Sequence, residues 1–103
     1  MPIYNKLVRD LIPEIIAASG KQYHSEILDD QTYLEKLDLK LQEELDEYYQ
    51  NKDIAELADL LEVIYAAAKA RGISEQELDR IRMDKQKKRG GFKQKIFLID
   101  VED

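Results

Sequence analysis

Glu44 and Glu47, then Glu56 and Asp59, form two i, i+3 carboxylate pairs within LQEELDEYYQNKDIAELADLLEVIY at residues 41–65. Side chains three apart on a helix share a face, so two helices folded against each other can aim all four carboxylates at one point. Carboxylates gathered that closely raise one another's pKa and resist joint ionisation. A bound cation removes the conflict, and an all-oxygen ligand set selects magnesium or manganese over zinc or copper. Magnesium keeps several waters and completes its shell with substrate phosphates, which implies a phosphate-bearing substrate. The competing reading is an ordinary solvated face, the usual fate of charged pairs on helices. Against it, both pairs flank apolar stripes and both sit at the same end of a helical hairpin.

The elements that position these residues follow from periodicity. Leu34, Leu37, Leu41, Leu45 and Tyr48 define one apolar stripe of a helix over residues 32–49. At 100° per residue, Glu44 and Glu47 fall on its flank, whereas Glu43 projects nearly the opposite way. The polar break at residues 50–53 ends that helix. Asp53 is a cap for a helix over residues 54–71, with Glu56 at the capping-box position. Ile54, Leu57, Leu61, Ile64 and Ala68 line one side of it, and Leu60, Val63 and Ala67 widen the stripe. A helix apolar over that much of its circumference is covered on more than one side, most simply by a second subunit. Upstream, Asp10 is a cap for a short helix over residues 11–18, with Pro13 in its first turn and Ser19 and Gly20 at its end. Residues 21–30 read as a loop. Downstream, Gly72 stops the third helix and Ser74 with Glu77 forms a capping box for a fourth, which runs toward Lys88 until Gly90 and Gly91 break it. KIFLI at residues 95–99 has strand character but no second strand to pair with, so a weakly paired strand or an extended arm is expected.

Composition narrows the function. The 103 residues make one domain with a modest core, to which oligomerisation would add. With 22 acidic against 16 basic residues the formal net charge is -6, which argues against a general nucleic-acid binder. The chain has no Cys, so disulfides, zinc thiolates and a thiol nucleophile are excluded. The beginning of the chain does not resemble a signal peptide, and no apolar run reaches membrane-spanning length. The expectation is a cytoplasmic protein with no membrane or nucleic-acid partner.

Charge is segregated along the chain. Residues 26–62 are strongly acidic, whereas residues 80–95 carry eight Lys or Arg against Asp84 alone. Lys85, Lys88 and Arg89, leading into Gly90 and Gly91, can present cations and free N–H groups to phosphate oxygens. They equally suit the C-terminal end of a helix dipole. Lys6 and Arg9 offer the same choice between phosphate binding and ordinary ion pairing. His24 lies in a polar loop, and Ser19, Ser25 and Ser74 sit at turn or cap positions, so covalent catalysis has little support. The tyrosines at 33, 48, 49 and 65 suit a core or an interface.

Taken together, YNKLVRDLIPEI, KLQEELDEY, IAELADLLEVIYA and KKRGGF resemble the MazG-like superfamily of all-α nucleoside triphosphate pyrophosphohydrolases, in particular a small house-cleaning branch. The resemblance spans most of the chain and is carried by the combination of segments rather than by either carboxylate pair. It implies an all-α antiparallel bundle of about four helices, completed by assembly into a homodimer or homotetramer. It further implies magnesium, or manganese, held by Glu44, Glu47, Glu56 and Asp59. The implied reaction is hydrolysis of a (d)NTP, damaged or surplus, between its α and β phosphates. Glu44 or Glu47 would position the water or take its proton, and Lys85, Lys88 and Arg89, with Lys6 and Arg9 behind them, would bind the phosphate chain. The spacer between Glu47 and Glu56 is shorter than in many members of the superfamily, which implies a tight hairpin. The additional helices that enclose the base in larger relatives are missing, which leaves that pocket to a neighbouring subunit. The rival expectations are a phosphoribosyl-ATP pyrophosphatase and a non-catalytic helical oligomerisation module.

Overall fold

Local signals set the limits of each helix. In a computed structural model that describes residues 2–103, the chain forms α1 (Ile12–Ala18), α2 (Asp30–Asn51), α3 (Ile54–Ala70) and α4 (Glu75–Arg89). There is no strand among the described residues. Helix α2 is longer at both ends than its apolar stripe predicts. Asp29 caps it by accepting the Thr32 N–H at 2.7 Å, and these bonds hold the Asp29 carboxyl below its usual range. Asp53 caps α3 through the Ala55 N–H. Helix α3 ends in a full Schellman pair: Gly72 N–H donates to the Lys69 carbonyl and Ile73 N–H to the Ala68 carbonyl, both at 3.0 Å. Gly72 supplies the positive φ of 86° that this geometry needs.

The expected caps of α1 and α4 need correction. Helix α1 begins one residue later than predicted, with Leu11 rather than Asp10 at the N-cap and no side-chain cap. The Ile12 N–H already donates to the Arg9 carbonyl, so Asp10 lies inside a turn and one position too early to cap. At α4, Ser74 Oγ accepts the Glu77 N–H at 3.1 Å, but the Glu77 carboxylate reaches forward to Arg80 instead of back to Ser74. Half of the capping box is therefore made. Ser74→Ala is expected to cost about 0.5–2 kcal/mol, read as a lower urea midpoint and frayed α4 amides in hydrogen exchange.

The main packing joins α2 and α3 across the two-residue connection Lys52-Asp53, and α4 packs more thinly on α3. Lys52 is left-handed at φ 55°, and its ammonium lies 5.2 and 5.1 Å from the ring centroids of Tyr48 and Tyr49. Helix α1 packs on no other helix. A hollow of about 570 Å³ lies between α3 and α4, lined by Leu61, Ile64, Tyr65, Leu78, Asp79 and Arg82. Residues 95–99 form no strand, and Ile96, Phe97, Leu98 and Ile99 are exposed. Strand propensity alone cannot build a ladder, since each strand needs a partner for its backbone groups.

Burial is sparse. Leu37 on α2 is 2% exposed and is the one fully buried apolar side chain among the described residues. Leu57 and Leu61 on α3 remain exposed, so much of its wide apolar face has no cover within the chain. The principal extents are 62 × 31 × 24 Å and the radius of gyration is 18.2 Å, against about 13 Å for a compact chain of this length.

Candidate metal centre

Glu44 and Glu47 come from the C-terminal half of α2, and Glu56 and Asp59 from the first turns of α3. Carboxylate oxygens of Glu44, Glu56 and Asp59 lie within 4.8 Å of one another, and so do those of Glu43, Glu44 and Glu47. Two triads thus share Glu44. That residue is 7% exposed, which is unusual for a glutamate. Its Oε2 is buried without a hydrogen-bond partner, as is Oε2 of Glu56. One buried orphan carboxylate oxygen at the junction of the triads and a second on Glu56 are hard oxygen donors of the kind that could hold a cation such as magnesium.

Glu43 does not point away from the site. It belongs to the second triad, accepts the Lys6 ammonium at 2.8 Å and accepts Lys40 at 3.3 Å. A long side chain drawn by two cations overrides the direction that a helical projection assigns to its Cα. Lys40 also lies 3.5 Å from Glu44 and is largely buried, with 16% of its side chain exposed. The sequence reading missed Lys40, although its i, i+3 and i, i+4 spacing to Glu43 and Glu44 is a visible signal. Glu56 is not engaged in a capping box, because its Oε1 accepts the Asn51 amide at 3.3 Å.

Lys6 and Arg9 stand at the carboxylates. Arg9 Nη2 is 2.7 Å from Asp59 Oδ1, and Lys6 holds Glu43. Lys85, Lys88 and Arg89 lie on the exposed last turns of α4 and form no ion pair with the carboxylates among the described residues. His24 is exposed in the loop before α2, and Tyr33, Tyr48 and Tyr65 are half-buried. The charge balance is uneven: five carboxylates (Glu43, Glu44, Glu47, Glu56, Asp59) face three cations (Lys6, Arg9, Lys40), an excess of two negative charges.

The Lys6–Glu43 pair carries a pH signature. The hydrogen bond from Lys6 is the largest cause holding the Glu43 carboxyl below its ordinary range. The same bond, then the Glu43 charge, raises the Lys6 ammonium above its ordinary 10.5. The Glu43 contribution is present above the ordinary glutamate value and lost as pH falls through the lowered one. The Lys6 contribution is present below 10.5 and lost as pH rises through the raised value. Lys6→Ala is therefore expected to lower stability by less than about 1 kcal/mol at pH 7. The difference from wild type should vanish in urea melts both in acid and above the Lys6 titration.

No helix among the described residues is long and apolar enough to cross a membrane. Comparison of the chain with protein-family models, with curated proteins and with solved structures finds no match in any of the three.

Proposed function

We propose that the chain is a magnesium-dependent nucleoside triphosphate pyrophosphohydrolase of the MazG-like kind, acting on damaged or surplus (d)NTPs. The observation that carries this reading is the pair of triads at α2 and α3, with Glu44 buried at their junction and two carboxylate oxygens unpartnered. Glu44, Glu56 and Asp59 would hold the ion, with Glu47 beside Glu44, and manganese would substitute for magnesium. When bound, a divalent ion offsets phosphate charge and orients or activates a water for in-line displacement. Glu47, half-buried in the second triad, accepts the proton of the water that attacks the α phosphorus. The bond from that phosphorus to the bridging oxygen breaks, pyrophosphate departs, and the monophosphate keeps the oxygen of the water. Lys6 and Arg9 supply cations next to the site, and Lys85, Lys88 and Arg89 supply them from α4.

Assembly belongs to the same proposal. The chain exposes 9656 Å², whereas a compact monomer of 12.1 kDa exposes about 6000 Å². The uncovered side of α3 and the hollow against α4 are the surfaces that a second copy would bury. In that assembly α2 and α3 are antiparallel neighbours of a bundle, and the base pocket is built between subunits.

The test is melting in magnesium or manganese against EDTA. Saturation a hundredfold above Kd is expected to add about 2.7 kcal/mol, seen as a raised Tm that Glu44→Gln loses. Coincident melts with and without metal would instead favour a helical interaction module.

A further inference from the structure

Residues 2–20 are attached to the rest of the protein in an unusual way. Residues 2–11 form no helix or strand, and Ile3, Tyr4, Val8 and Leu11 are exposed, while Leu7 is half-buried. Helix α1, which follows, packs on no other helix. Beside the half-buried Leu7, two ion pairs tie this segment to α2 and α3: Lys6 to Glu43 at 2.8 Å and Arg9 to Asp59 at 2.7 Å, across 37 and 50 positions of sequence. Each partner carboxylate belongs to one of the two triads. Arg9 therefore occupies an oxygen of the same group that completes the Glu44, Glu56 and Asp59 set.

We propose that Lys6 and Arg9 are exchangeable counter-cations, so that the segment straps the carboxylates until a divalent cation evicts it and frees both side chains for substrate phosphate. The proposal rests on the metal reading of the triads. Both ion pairs are substantially exposed, with Arg9 and Asp59 side chains at 57% and 43%, and exposed pairs are weakly held. A doubly charged ion among Glu44, Glu56 and Asp59 draws on the charge that retains Arg9 and repels the guanidinium beside it. Lys40 differs: it is largely buried, contacts Glu43 and Glu44 from within α2, and stays. A released guanidinium presents a planar fork suited to two phosphate oxygens, so the strap closes again over a metal-bound polyphosphate.

The experiment combines manganese titration calorimetry with backbone ¹⁵N relaxation of the full chain in magnesium. Lys6→Gln/Arg9→Gln is expected to bind manganese about two- to fivefold more tightly than wild type, the strength of an exposed ion pair. Saturating magnesium is expected to lower the heteronuclear NOE of residues 4–10 in wild type, and inorganic triphosphate to restore it in wild type but not in the double variant. Equal or weaker manganese binding by the variant would overturn the exchange and make Arg9 an orienting partner of Asp59. An NOE unchanged by magnesium would overturn the eviction, and one that triphosphate does not restore would overturn the phosphate step. Absence of any manganese binding by wild type would remove the metal site itself, and the strap with it, an outcome distinct from the others.

Discussion

Glu44→Gln is expected to abolish magnesium-dependent pyrophosphate release, by about 10³-fold or more, because the several kcal/mol that a bound metal supplies to such a reaction are lost with it. Glu44 is the one residue common to both triads, and its buried Oε2 has no other partner. The variant keeps the shape of the side chain and removes one anion from a crowded cluster, so its Tm in EDTA should equal or exceed that of wild type. A structural glutamate would show the opposite pattern, with lost stability and retained chemistry. Glu47→Gln and Asp59→Asn are expected to lose turnover with far-UV circular dichroism unchanged. Full activity in both would remove them from the site.

Leu37→Ala carries the largest expected cost to folding. Its side chain is 2% exposed, and truncating a fully buried leucine costs about 2–5 kcal/mol through lost transfer energy and the cavity left behind. For a chain of this size each kcal/mol lowers Tm by about 4–8 °C, so the variant should melt well over 8 °C below wild type. The cost should also reach the candidate metal centre, because Leu37 and Glu44 are two turns apart on α2, the helix that packs on α3. Metal affinity measured well below Tm would then fall less than stability does. A drop in Tm of under 4 °C would mean that the packing of α2 on α3 is not where the stability resides.

How much of this was legible in the sequence depends on the range over which each signal acts. The stripes through Leu37 and Leu41 on α2 and Leu57 and Leu61 on α3 repeat at the helical period, and that repeat located both helices. The caps at Asp53 and Ser74 are read from residues two or three apart, and both are made. The two i, i+3 pairs were expected to converge on one point; Glu44, Glu56 and Asp59 lie within reach of one another, but Glu47 groups with Glu43 and Glu44 instead. Glu43 was misplaced because its direction is set by Lys40, whose local i, i+3 signal was missed, and by Lys6, 37 positions away, a pairing that no local pattern encodes. Arg9 and Asp59, 50 positions apart, pose the same problem. Residues 95–99 show the converse. Their β-branched and aromatic character is a true local preference, but a strand is a relation between two segments, and the second is lacking among the described residues.

The most direct test of the central claim is ³¹P NMR of the products formed from a panel of standard and damaged NTPs and dNTPs in H₂¹⁸O, with magnesium and with EDTA, wild type beside Glu44→Gln. Nucleoside monophosphate and pyrophosphate are expected from at least one substrate, with ¹⁸O in the monophosphate and no turnover in EDTA or in the variant. Nucleoside diphosphate with orthophosphate, label in pyrophosphate, or no product from any substrate by a folded protein would contradict it.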